Sequence, residues 1–340
     1  MKTIRLCKKC GFILGTRPGL KEVDGVCLAC VNEANKKNIN FAERQEWLTK
    51  YIAENRTSQS YDCVVAVSGG KDSTAIVYRL MKNHGVKKPL LITVLDEFTS
   101  TRAGVHNRKN LGDFFGVDHI MYRCSPADFK KNTREDFEKE LHPLKWIERR
   151  LYEIPCEIAR AFGIRLVFFG ENSAYEYGTS DELNIFHPTL SDDELKVIYT
   201  GAIYPYGNYD SLEIAQKCGF RDLNFYNEWQ RNGISEIDGY TQIDSIGYLA
   251  HHWCKYVKFG FQRVSDMACR FVREGHLNRD QAVKLIDEND YKLDGAAKRD
   301  FCRTIDITEQ YFDEIVDKHA NRDLVFKDIN GFWRRYPVES

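Results

Sequence analysis

The sequence lacks any stretch approaching the roughly 18 uninterrupted apolar residues of a membrane-spanning helix. Its opening, MKTIRLCKKC, has no apolar core of a secretory signal. There is no excess of either charge: 49 Lys and Arg stand against 50 Asp and Glu, which argues against a chain built to coat nucleic acid. No internal repeat or low-complexity run occurs, and 43% hydrophobic with 29% charged residues excludes disordered and collagen-like classes. Eleven cysteines, an odd number, in a chain without an export signal give no disulfide framework. The expectation is a soluble, cytoplasmic protein with no membrane association, its thiols either buried or on a metal. At 340 residues it has room for two or three domains.

Three regions are present. Residues 1–35 are poor in core formers and rich in Cys, Gly and Lys; eight basic against three acidic residues over positions 1–40 make the start locally basic. Residues 36–235 open with a helical pattern in FAERQEWLTKYIAENR, carrying Phe41, Trp47, Leu48 and Ile52 near one face. Apolar strand-like runs then follow (DCVVAV, LLITVL, HIMYRC, LVFFG), separated by helical segments such as TAIVYRLMKNHG and IPCEIARAFG. Strand–helix alternation predicts an α/β fold: a Rossmann-like parallel sheet with helices on both faces. Residues 236–340 lack convincing strands and read as a helical region for substrate or partner.

Cys7-x2-Cys10 and Cys27-x2-Cys30 form two knuckles, with Gly11 and Gly25 where such turns need a positive φ. Four thiolates at this spacing predict a closed tetrahedral site for structural Zn²⁺, in a zinc-ribbon-like module; an iron–sulfur centre is the competitor. Four unligated thiols would leave a segment with little apolar mass nothing to fold around.

Ser68-Gly69-Gly70-Lys71-Asp72-Ser73 follows a strand and precedes a helix. Two glycines let the backbone approach a phosphate, the helix start supplies unpaired N–H groups, and Ser68, Ser73 and Lys71 add donors. Asp72 beside a polyphosphate makes sense with Mg²⁺ between them. The local alternative is that Asp72 or Ser73 only caps a helix. The spacing is not that of a Walker A loop. Two further strands turn polar at their ends, at Asp96-Glu97 and Gly170-Glu171-Asn172, on the edge where open parallel sheets bind ligands.

The loop resembles that of the PP-loop ATP pyrophosphatases. Four features together resemble the N-acetyl sugar amidotransferases of that superfamily (the WbpG/PseA group): the cysteine knuckles, SGGKDS, GENSAYEYG at 170–178, and KYVKFGFQRVSDMACRFVREGHLNRDQAVKLIDEND at 255–290. The match is weakest in residues 11–26 and around 180–200. The resemblance implies an ATP-dependent ligase that turns a sugar N-acetyl group into an acetamidino group. It would act in surface polysaccharide (lipopolysaccharide) or nonulosonic (pseudaminic or legionaminic) acid biosynthesis. An adenylated imidate would form with loss of PPi, and ammonia would then displace AMP. It assigns Ser68, Gly69, Gly70, Asp72, Ser73 and Thr74 to the phosphates and metal, and Asp96 to the adenosine. Lys71, Asp72, Glu171 and Asn172 would serve catalysis.

No GxCxG elbow of a glutaminase is present and residue 2 is Lys, so ammonia is expected from a separate glutaminase of the histidine-biosynthesis glutaminase–cyclase type, with the basic cysteine module as a docking surface. Lys258, Arg263 and Asp266 are candidates for a lid over an N-acetylated sugar, with neighbouring aromatics under the ring; the alternative is a helix start with solvated charges. The tyrosines of 199–209 read as packing, and His251 and His252 as core or edge histidines rather than ligands. Two competing readings are a tRNA thiolase, with Cys156 or Cys218 carrying sulfur, and a non-catalytic nucleotide-binding assembly subunit. The first lacks a basic stripe, because the charge after residue 40 is −6.

Overall fold

The fold is that of a computed structural model describing residues 4–56, 60–170, 176–180, 184–205, 207–229 and 239–338. At the amino terminus a short antiparallel pair, β1 (Glu22–Val23) and β2 (Val26–Cys27), leads into α1 (Leu28–Asn35). Gly11 and Gly25, in the knuckle turns, have φ of 81° and 77°. Asn40 caps α2 (Phe41–Asn55) by accepting from the Glu43 amide at 3.2 Å. Leu48 and Ile52 of that helix are wholly buried, worth about 1.5–3 kcal/mol each.

The centre is a parallel sheet of β3 (Cys63–Ala66), β4 (Pro89–Leu95), β5 (His119–Arg123), β6 (Leu166–Phe169) and β7 (Lys196–Tyr199). The order is β5-β4-β3-β6-β7. Val64 of β3 stands opposite Leu90 on one side and Val167 on the other. The chain first builds outward from β3 through β4 to β5, then returns to place β6 and β7 on the opposite side. That reversal leaves a crevice beyond the carboxyl ends of β3 and β6, the switch point of a Rossmann-like sheet.

Alternate residues of β3 serve two cores, as period-two geometry requires. Cys63 and Val65 pack with Leu48, Ile52, Val77 and Leu111, whereas Val64 packs with Ile154, Ala159 and Val167. The first face carries α2, α3 (Lys71–Asn83) and α4 (Arg102–Phe115); the second carries α6 (Lys145–Ala161), which follows α5 (Pro126–Glu140). Helices on both faces match the expected fold class. β7 is an addition to the four expected strands.

After α7 (Asn208–Lys217) the carboxy-terminal region is helical: α8 (Tyr248–Phe259), α9 (Arg263–Arg273), α10 (Arg279–Asn289), α11 (Gly295–Ile305) and α12 (Glu309–His319). It ends in a hairpin of β8 (Val325–Lys327) and β9 (Trp333–Arg335), so the expectation of a strandless end is corrected. The first residues are built into this region. Ile4 and Ile13 share its core, and Phe12 meets the Phe261 ring edge-on at 4.8 Å. Among the described residues no helix is long and apolar enough to cross a membrane.

Candidate functional site

The loop after β3 is held by its own serines. The Ser68 amide donates to Ser73 Oγ at 2.9 Å, the Gly70 amide donates to Ser68 Oγ at 3.2 Å, and the two hydroxyls lie 3.2 Å apart. Gly69 has φ +93°, and a Cβ there would stand 3.0 Å from the backbone nitrogen of Arg108 on α4; glycine is required on both counts. Gly70 is the N-cap of α3 and makes no side-chain cap bond. The serines therefore shape the loop rather than cap the helix, and the first N–H groups of α3 have no intrahelical partner. Lys71 is buried, with Nζ 2.8 Å from both carboxylate oxygens of Asp72, whose side chain is 38% exposed. Thr74 is buried and donates through Oγ1 to the Gly70 carbonyl at 3.1 Å.

The loop opens into a cleft of about 220 Å³ at the switch point. That is below the ~300–1,000 Å³ of pockets that enclose a whole small molecule, so the described walls enclose part of a ligand. α6 supplies Leu151, Tyr152 and Pro155, with Tyr152 stacked on Phe169 of β6 at 4.9 Å. A second wall is the segment Tyr240 to Asp244, clipped to the start of α4: the Thr101 amide donates to Asp244 O at 3.1 Å, and Thr101 Oγ1 donates to Ile243 O. A Cβ on Gly104 would lie 2.5 Å from Asp244 O, so this approach needs glycine.

The third wall is cationic. α9 sends Arg263 and Arg270 into the cleft, seven residues apart and so on one face of the helix. Arg270 pairs with Glu176 at 2.9 Å, the two side chains only 6% and 10% exposed, and Arg273 donates to the Glu176 carbonyl at 3.0 Å. Burial pushes the neighbouring Tyr177 phenol well above its ordinary pKa, so it stays a neutral hydroxyl. Lys71, Arg263 and Arg270 bring three cations to one cleft that also holds the carboxylates of Asp72, Glu176 and Asp244, so the charges of the lining balance, with Lys71 and Arg270 each in an ion pair.

Of the residues singled out in the sequence, Ser68, Gly70, Lys71, Asp72, Ser73 and Arg263 line this cleft. Asp96 stands outside the lining: it accepts from Ser245 Oγ at 2.7 Å and from the Phe98 amide at 3.0 Å, and burial raises its pKa to about 6. Lys258 donates to the Glu140 carbonyl and Asp266 faces Lys255 at 3.4 Å; neither lines the cleft. Phe261 is buried in the carboxy-terminal core. Glu171 and Asn172 lie outside the described residues. Arg270, Glu176, Tyr152 and the 240–244 segment were not recognised as site residues. Arg263 was reached through the 255–290 stretch, and nothing in that stretch marked Arg270.

The four amino-terminal cysteines are buried together, their sulfurs within 4.8 Å of one another. Cys10 and Cys27 Sγ are 3.7 Å apart and Cys7 and Cys30 Sγ 4.0 Å apart. Tetrahedral Zn–S bonds of about 2.3 Å require S···S edges of about 3.8 Å, so the donor set fits such an ion. The Cys27 amide donates to Cys7 Sγ at 3.3 Å, a bond that supports a thiolate. This module braces the cleft. Cys269 of α9 donates to the Cys10 carbonyl at 3.3 Å and Arg279 donates to the Cys7 carbonyl at 3.2 Å. A Cβ on Gly178, two residues from Glu176, would lie 2.4 Å from the Ala29 amide nitrogen of α1. Both cationic-wall segments thus rest on the cysteine module.

No curated protein matches the chain. Among solved structures, NMN synthetase from Francisella tularensis is similar at 10% identity and TM-score 0.39, over 79% of this chain and 94% of that one. NH3-dependent NAD synthetase from Campylobacter jejuni subsp. jejuni NCTC 11168 gives 14% identity and TM-score 0.35, over 58% and 83%. U34-tRNA thiolase NcsA from Methanococcus maripaludis, with its [4Fe-4S] cluster, gives 12% and 0.39, over 93% and 89%. Likeness of this grade says nothing about activity. Residues 224–338, which supply Arg263, Arg270 and the 240–244 wall, match the sequence model described as LPS biosynthesis protein WbpG-like, C-terminal domain.

Proposed function

We propose that the protein is an ATP-dependent amidotransferase that converts the N-acetyl group of a sugar into an acetamidino group. One observation carries the reading: the Ser68–Ser73 loop and the arginines of the WbpG-like segment converge on a single cleft. An amide carbon is a poor electrophile until its oxygen becomes a leaving group. The carbonyl oxygen attacks the α-phosphorus of ATP, the bond to the bridging β-oxygen breaks, and pyrophosphate leaves. Ammonia then adds to the imidate carbon, loses a proton to solvent, and the C–O bond breaks, releasing AMP with the former carbonyl oxygen.

In this reading the loop amides, Ser68, Ser73 and the α3 N-terminus hold the β- and γ-phosphates, and Lys71 offsets charge gathering on the departing pyrophosphate. Asp72, the exposed member of its ion pair, would hold Mg²⁺. Bound there, the ion supplies charge neutralisation at the phosphates. Arg263 and Arg270 grip an anionic group of the substrate. Asp96, through Ser245, fixes the segment flanking the adenosine, and Glu171 and Asn172 act at the reacting carbon. Zn²⁺ occupies the four cysteines, and a separate glutaminase supplies ammonia. No observation favours the thiolase reading: Cys156 and Cys218 are buried, and burial raises the Cys156 pKa to about 11, which keeps it a thiol.

The test is incubation with ATP, Mg²⁺, ammonium and a panel of N-acetylated sugars. Mass spectrometry should find AMP and a sugar product lighter by about one dalton, oxygen having been replaced by NH. Formation of ADP, or of a sugar phosphate, would overturn the assignment.

A further inference from the structure

His142, Glu148 and His251 come from three elements, the loop joining α5 to α6, the first turn of α6, and α8, yet their side chains meet. His142 Nε2 lies 3.1 Å from one Glu148 oxygen and His251 Nε2 lies 3.3 Å from the other. The imidazoles stack at 5.2 Å with 25° between planes, and one ligand atom from each residue lies within 4.8 Å of the others. Nitrogen and carboxylate ligands about 2.0–2.1 Å from a tetrahedral ion stand about 3.4 Å from each other, close to the two measured contacts. His251 is buried, and its Nδ1 has no hydrogen-bond partner. Lys255, one turn along α8, is turned toward Asp266 at 3.4 Å.

We propose that these three side chains form a second metal site, for a borderline divalent cation such as Zn²⁺, distinct in donor chemistry from the four-cysteine site. Two imidazoles and one carboxylate make three protein ligands, the number that leaves a position open for water or substrate. The side chains of His142 and Glu148 are 34% and 36% exposed, so an ion has an entry path. The open position is near the chemistry. Glu148, Leu151, Tyr152 and Pro155 recur at the three- and four-residue spacing of one α6 face, and the last three wall the cleft, which places Glu148 about one turn from it. His251 is buried, as expected of a core or edge histidine, and the proposal adds a ligand role to it.

The test is metal analysis and Co²⁺ titration of the full chain with its four-cysteine site loaded. Wild type should hold two ions per chain. The second should give ligand-field absorption without a sulfur-to-metal band. Glu148→Gln and His142→Asn should each weaken the second ion at least ~100-fold, since even loss of a residue supporting a ligand costs 10–100-fold, while retaining the cysteine-bound ion as a sign of correct folding. One ion per chain in wild type, or a second ion held equally by both variants, would overturn the proposal. Should either variant misfold, the wild-type stoichiometry decides alone.

Discussion

The Arg270–Glu176 pair joins the cationic wall to the segment resting on the cysteine module, and Glu176→Gln isolates its contribution with little change of shape. At 2.9 Å and an effective dielectric of about 20 the attraction is about 6 kcal/mol, part of which offsets the desolvation of both ions. Removing one partner of a buried pair costs about 3–5 kcal/mol. Glu274 lies within electrostatic reach of Arg270, which places the loss near the lower end, about 3 kcal/mol. An unfolding entropy of ~2.1 cal/mol/K per residue over 340 residues converts this into a fall in Tm of about 4 °C. Scanning calorimetry with and without pyrophosphate gives the second half of the test. An anion in the cleft takes over the lost countercharge, so pyrophosphate should raise the Tm of Glu176→Gln more than that of wild type. A variant melting within about 1 °C of wild type, with an equal response to pyrophosphate, would refute both the burial argument and the placement of the anion.

Asp72→Asn takes the carboxylate from buried Lys71, so the melting temperature should fall by a few degrees, while the initial rate of AMP formation, measured well below both melting transitions, falls at least about 100-fold; a folded variant that keeps its rate would point to a structural role alone. Asp290, buried and accepting from Gln262 and Ser265, has its pKa raised by burial from 3.8 to about 6. The folded state therefore binds its proton more tightly than the unfolded chain. That contribution, about 3 kcal/mol, is complete below pH ~4 and is lost as pH rises through ~6. Urea titrations should show the decline in wild type and a flatter profile in Asp290→Asn; identical profiles would contradict the assignment. Chelation of the ion proposed for the four cysteines should increase hydrogen exchange in residues 263–273, because Cys269 and Arg279 anchor to the carbonyls of Cys10 and Cys7. Unchanged exchange there would separate the module from the cleft.

The sheet was legible where its strands are buried on both faces, because runs such as Cys63–Ala66 and Leu166–Phe169 are continuous and apolar. β7 was not: only Lys196–Tyr199 pair, one residue after the acidic Asp192, Asp193 and Glu194. The β8–β9 hairpin hid for another reason. Its charges lie over aromatic faces, with Lys327 Nζ 5.2 Å from the Trp333 ring and Arg334 3.4 Å from that of Tyr291, so side chains that pack on the rings still break the apolar alternation. The phosphate-loop candidate could be read because its geometry is local: two serines and two glycines fix one turn. Arg270, Glu176 and the 240–244 wall could not, since they reach the cleft through contacts such as Gly104 with Asp244 that span more than a hundred residues of chain. Asp96 shows the converse. Its position at a strand end suggested a ligand contact, but the side chain is engaged by Ser245.

The most direct test of the central claim is a crystal structure of the protein with a non-hydrolysable ATP analogue and Mg²⁺. The β- and γ-phosphates should lie against the amides of residues 69–73, with Lys71 on a phosphate oxygen and Asp72 on the metal. A triphosphate bound away from Ser68–Ser73, or lying there without any contact from Lys71 and Asp72, would contradict the account.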